Sequence, residues 1–111
     1  MSEREATGLG ALEEQVLVAV VRAGDAAYGM EVRREIEAVT GRDLAIGAVY
    51  STLDRLEAKA FVRSRRVQTT DGSRRVFALT ADGAQALADT REMRDRLWNG
   101  VDLRRIRAAV R

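Results

Sequence analysis

The 111-residue chain reads as mainly α with one small β-hairpin. Three observations predict this class. Apolar residues recur at helical spacing in three short stretches before residue 60. Between Phe61 and Leu79 the pattern shifts to short alternations around the turn-forming run Thr69-Thr70-Asp71-Gly72-Ser73. After Thr80 helical spacing returns and continues to about Trp98.

Each element has its own local reason. Leu9, Leu12, Val16, Ala19, Val20 and Ala23 form the stripe of a first helix, and Gly24 is a natural stop. Val18 and Val21 lie off that stripe, which predicts a second buried face. A second helix is expected from about Tyr28 to Val39, with Met30, Ile36 and Val39 inward and Gly41 closing it. A third is expected from Gly47 to Lys59. Thr80 can cap a fourth by accepting from a free backbone N–H, and Asn99-Gly100 marks its end. Leu103, Ile106 and Val110 then suggest a last helical piece. No internal repeat, low-complexity tract or linker interrupts the order.

Composition removes several classes of chemistry. There is no Cys, so disulfides, thiolate metal sites and Cys nucleophiles are excluded. There is no His, the commonest general base and transition-metal ligand. No nucleophile elbow, phosphate loop or dinucleotide fingerprint is present, so the expectation is no enzyme, no metal and no cofactor. No apolar run approaches the roughly 20 residues needed to span a bilayer. The opening MSEREATGLG lacks a basic start followed by an apolar core, so a cytoplasmic protein without membrane association is expected.

Net charge is only +2, and its distribution says more. Residues 61–80 carry 5 basic and 1 acidic residue, whereas residues 1–60 are net negative. Of the 19 basic residues 18 are Arg, which suits bidentate phosphate contacts. Three short helices followed by a basic hairpin form the winged helix-turn-helix arrangement. In that geometry the third helix enters the major groove of a DNA duplex and the hairpin, the wing, reaches the neighbouring backbone. A helical projection is consistent with this. Thr52, Leu53, Leu56 and Ala60 fall on the side of Val49. Gly47, Ser51, Asp54 and Ala58 lie opposite, with Tyr50 and Arg55 on the flanks. The outer face is small or polar, as a groove-seated helix requires.

The segment AYGMEVRREIEAVTGRDLAIGAVYSTLDRLEAKAFV, followed by RRVFALTADGAQAL, resembles the PadR family of transcriptional regulators. The matched features are the Tyr-Gly opening of the second helix, the Gly-x-x-Tyr-x-x-Leu-x-Arg-Leu-Glu run, and the aromatic-x-Leu-Thr-x-x-Gly after the wing. They cover roughly residues 9–90, in order. The resemblance implies a homodimeric, usually repressing, DNA-binding protein whose long C-terminal helix supplies much of the dimer interface. It further implies that Tyr28 sits near phosphates at the start of the second helix. Tyr50 and Ser51 would belong to the recognition helix, and Arg74 and Arg75 to the wing. Three departures stand out. Ala45 replaces a frequent Ser, removing a side-chain cap worth about 1 kcal/mol. Ala60 stands where Gly commonly ends the helix, and the wing turn is short without a glycine-rich basic approach.

The expected DNA-binding residues are therefore Tyr28, Gly47, Tyr50, Ser51, Arg55, Arg63, Arg65, Arg66, Arg74 and Arg75, with residues 1–80 as the DNA-binding unit. Arg55 has a rival reading as an ion-pair partner of Glu31, Glu35 or Glu57. In the long helix Leu87, Met93, Leu97, Trp98 and Val101 have little left to pack against in one chain, so residues 81–111 are expected to pair with a second copy. Trp98 is the candidate for a small-molecule effector pocket, since some PadR-like regulators hold flat aromatic compounds at this interface. The competing expectation is a winged-helix protein-interaction module that does not use DNA. The acidic Glu31, Glu35 and Glu37 on helix two and Asp54 on helix three favour it mildly.

Overall fold

The computed structural model describes residues 8–110. The start of the N-terminal stretch, read above as lacking a signal sequence, lies outside them. The order is α1 (Ala11–Ala23), a 3-10 turn (Gly24–Ala26), α2 (Gly29–Thr40), α3 (Ile46–Ala58), β1 (Val62–Thr69), β2 (Gly72–Leu79), α4 (Ala81–Trp98) and α5 (Leu103–Ala109). This is a winged helix-turn-helix with a long C-terminal helix. No helix among the described residues is long and apolar enough to cross a membrane.

One core joins the three helices to the base of the hairpin. Val16, Leu17 and Val20 of α1 meet Val32 and Ile36 of α2, Val49, Leu53 and Leu56 of α3, and Val62 and Phe77 of the strands. Each such side chain contributes about 1.5–3 kcal/mol on full burial. That is enough to organise a small domain that has no Cys with which to staple itself. Leu9 and Leu12 pack on the rim of this core, although α1 begins at Ala11, two residues later than the apolar stripe. The Gly10 N–H there donates to the Glu13 carboxylate at 2.9 Å, which gives α1 its first-turn cap.

The ends of the recognition helix are both imperfect. Ala45 offers no side chain to the free N–H groups of α3. At the other end Ala60 takes φ 64, the sole positive φ on a non-glycine among the described residues. Ala45→Ser and Ala60→Gly are therefore each expected to stabilise the chain by about 1 kcal/mol. Urea unfolding checks this as a higher midpoint at unchanged slope.

Several expectations are corrected. Val39 is 64% exposed, and Val32 takes the inward position. Val39 lies on the apolar stripe of α2, but it lines an open groove with Val18, Ala19 and Ile36 that none of the described residues covers. Met30 is half-buried and faces a groove beside Tyr28 and Tyr50 rather than the core. Val18 and Val21 are exposed, so α1 buries one face only within the chain. Ala60 is exposed because α3 has already ended at Ala58. The wing turn is narrower than the Thr69–Ser73 cluster suggested. The ladder runs to Thr69↔Gly72, leaving Thr70 and Asp71 outside the strands. Two eight-residue strands result, about 26 Å long at the usual rise.

Thr80 caps α4 as its sequence predicts. Its hydroxyl oxygen accepts from the Gly83 N–H at 3.0 Å and donates to the Ala60 carbonyl at 2.6 Å. Leu87, expected in a dimer interface, packs half-buried on the chain's own core.

Candidate nucleic-acid interface

The outer face of α3 is open. Gly47, Ser51 and Asp54 are exposed, and a Cβ built at Gly47 would meet no atom within 4 Å. Thr52, Leu53 and Leu56 fix the opposite face in the core, so the orientation of α3 is set by packing. Tyr50 lies at the boundary, 37% exposed. Its ring rests against the start of α2, where Gly29 makes room for it. A Cβ at position 29 would come within 2.2 Å of Tyr50 Cζ. This gives the Tyr-Gly pair a physical reason: the glycine seats the tyrosine of the next helix.

Tyr28 joins the wing to this spot. The Phe77 N–H donates to the Ala27 carbonyl at 2.8 Å, and Tyr28 bridges antiparallel to Val76. The segment before α2 thus adds itself to the edge of β2. The Arg74 guanidinium stacks over the Tyr28 ring at 4.2 Å. Arg34 is close by, where hydrogen bonds with Glu31 and then Tyr28 favour its charged guanidinium. Tyr28, Met30, Arg34, Tyr50, Arg66, Ser73, Arg74 and Arg75 together line a groove between α2, α3 and the wing. The groove brings four arginines and two tyrosines together, residue types that hydrogen-bond phosphate oxygens well.

The five wing arginines do not act from one place. The register puts Arg66 and Arg75 on the same side of the hairpin as Val62 and Phe77. Arg63, Arg65 and Arg74 share the other side. Arg74 then reaches the groove, whereas Arg63 and Arg65 line a separate depression with Gly24 and Asp25. Arg75 is engaged within the chain. Its Nη2 donates to Glu57 Oε1 at 2.7 Å and to Asp54 Oδ1 at 3.2 Å. Arg55 also turns away. Its Nη2 donates to Thr52 Oγ1 at 3.2 Å, and its ion partner is Glu13 at 3.8 Å rather than Glu31, Glu35 or Glu57. Burial opposes the Glu13 charge, but the Gly10 N–H, Lys59 and Arg55 outweigh it and hold its carboxyl below the ordinary value.

Sequence reasoning missed Arg34 and Met30 as groove residues, and it marked Gly29 only as part of a motif. Arg34 stands six residues after Tyr28, a spacing that carries no signal until the turn into α2 is known. Among the described residues no group of acidic side chains could hold a metal ion.

A family model, the transcriptional regulator PadR-like family, matches residues 16–89. The chain belongs to that family. As a PadR-like winged-helix chain it is a DNA-binding transcriptional regulator. Its fold is similar to that of RosR from H. salinarum, with 26% identity and a TM-score of 0.70 over 93% of this chain and 89% of that one. It is also similar to a PadR family transcription regulator from Clostridium difficile R20291, at 25% identity and a TM-score of 0.58 over 78% of this chain and 86% of that one. F93 from STIV, a winged-helix DNA-binding protein, shares the fold at 20% identity and a TM-score of 0.65, covering 81% of this PadR-like chain and 94% of F93. No curated protein matches the sequence.

Proposed function

We propose that this PadR-like chain acts as a homodimer on a pseudo-palindromic operator and represses by occupying it. The observation that carries the reading is the open, small-residue face of α3 beside the groove of Tyr28, Tyr50, Arg34, Arg66 and Arg74. Gly47 and Ser51 sit where base edges would come. The groove's guanidinium groups and phenols would take the phosphates on one flank, and Arg63 and Arg65 those nearest the far side of the wing. Residues up to Thr80 would do the binding, and those from Ala81 would pair the copies.

The second copy is supported by what one chain leaves uncovered. Met93, Leu97, Trp98 and Val101 are 42%, 68%, 53% and 45% exposed along and just beyond α4. Val18 and Val21 of α1, and Leu103 and Ile106 of α5, are exposed as well. An apolar set of this size on a short chain marks an association surface. Trp98 is its largest member and the side chain on which a flat small-molecule effector would stack. A dimer then carries two α3 helices to half-sites about one helical turn apart.

Salt titration tests the phosphate contacts. Each neutralised phosphate steepens the fall of log K with log salt by about 0.9, so a substitution made in both copies removes about 1.8. Arg66→Ala and Arg74→Ala are each expected to flatten the slope by that amount for any duplex sequence. An unchanged slope in both variants would remove the groove from the interface and leave the winged helix as a surface for another protein.

A further inference from the structure

Arg75 lines the same groove as Arg66 and Arg74 but, unlike them, is paired with two carboxylates of its own chain. Its guanidinium stacks on the Phe77 ring at 4.8 Å, and Phe77 is wholly buried. Its Nη2 reaches two carboxylates of the recognition helix, Glu57 and Asp54, while its Nε donates to the Ser64 hydroxyl oxygen at 3.4 Å. Glu57 in turn holds the first part of the wing. The Ser64 N–H and hydroxyl both donate to Glu57 Oε2, at 3.1 Å and 2.8 Å. Ser64 and Phe77 are register partners, so Glu57 grips β1 directly and β2 through Arg75.

We propose that Arg75 is a positioning residue rather than a phosphate ligand: with Glu57, Asp54 and Ser64 it clasps the wing to the recognition helix. The clasp sets the angle at which Arg66 and Arg74 meet the duplex. The single positive charge of Arg75 also offsets one of the two negative charges of Asp54 and Glu57, which would otherwise both sit uncompensated on that side of α3. The Ser64 hydroxyl and then Arg75 hold the Glu57 carboxyl below the ordinary carboxylate value despite its partial burial, so the clasp is charged at neutral pH. Hydrogen bonds to charged groups of this kind are the stronger ones, and their fork geometry is not reproduced by a lysine. The functional consequence rests on the duplex-binding reading above; the clasp itself does not.

The two roles predict opposite signs for one substitution. Glu57→Ala makes the protein more positive and leaves Arg75 with Asp54 as its one carboxylate partner. If Arg75 were a phosphate ligand held in reserve, binding would tighten. A clasp predicts that binding weakens by about tenfold despite the added charge. Arg75→Lys keeps the charge and loses the fork, and is expected to weaken binding similarly. Asp54→Asn leaves the Glu57 arm intact and is expected to bind at least as well as the parent.

The measurement uses the full chain and a labelled mixed-sequence duplex of about 30 base pairs, three helical turns. Amide hydrogen exchange is read on the same proteins without DNA. Faster exchange of wing amides from Ser64 to Arg75 in Glu57→Ala and Arg75→Lys, with α1 and α2 unchanged, is the expected result. Tighter or equal duplex binding by Glu57→Ala, or unchanged wing exchange, would overturn the clasp. Should the parent protein bind no duplex at all, the duplex-binding reading fails, and the exchange data still decide for or against the clasp.

Discussion

Gly83→Ala is expected to lose about 3 kcal/mol or more of stability, a fall of roughly 15 °C in Tm for a chain of this size. A Cβ at position 83 would lie 2.1 Å from the Phe61 carbonyl oxygen and 2.9 Å from Leu79 Cδ1. The carbonyl cannot retreat easily, because the Thr80 N–H donates to it at 3.1 Å and Phe61 leads directly into β1. The methyl group must therefore push α4 off the base of the wing. Gly47→Ala is the control. Open space surrounds Gly47, so adding the same methyl should stabilise α3 slightly, by up to about 1 kcal/mol. Thermal unfolding by circular dichroism compares the two. Equal stability of Gly83→Ala and the parent would show that α4 does not sit against Phe61 as described.

Leu97→Asp is expected to give a folded monomer that has lost nearly all operator affinity. Leu97 is 68% exposed, so a charge there costs the single chain little. Against a second copy the same charge would be buried without a partner, which is strongly unfavourable. Loss of pairing converts binding at two linked half-sites into binding at one, a drop of about 100-fold to 10,000-fold. Light scattering reads the mass and duplex titration reads the affinity. A variant that stays dimeric would move the pairing surface away from the end of α4.

Much of the fold is legible in the sequence because its elements are bounded by local chemistry. Thr80 announces α4 by its cap, and the Thr69–Ser73 cluster announces the hairpin. The Leu-Thr-x-x-Gly pattern marks Gly83 without saying why, since the carbonyl it packs on lies 22 residues earlier. Periodicity places Val39 inward because it reports direction and not depth: the residue points along the stripe of α2 into a groove that none of the described residues covers. The candidate site divides in the same way. Alternation alone separates Arg63 and Arg65 from Arg66, as neighbours in a strand face opposite sides. Assigning Arg74 to the groove and Arg75 to Glu57 needs the strand register and the nearness of β2 to α3, which are tertiary facts. The ten DNA-facing residues expected from sequence thus divide by environment. Tyr28, Tyr50, Arg66, Arg74 and Arg75 line the groove, and Gly47 and Ser51 lie open on α3. Arg63 and Arg65 stand apart, while Arg55 and Arg75 are engaged with the chain's own carboxylates.

The central claim is that two open α3 faces, held by one dimer, read a symmetric DNA sequence. Selection of binders from a random duplex pool at physiological salt, followed by sequencing, tests it most directly. The expected result is an enriched inverted repeat with half-sites about one helical turn apart. Retention of duplexes without any enriched sequence, lost as salt rises, would contradict it and reduce the protein's hold on DNA to charge alone.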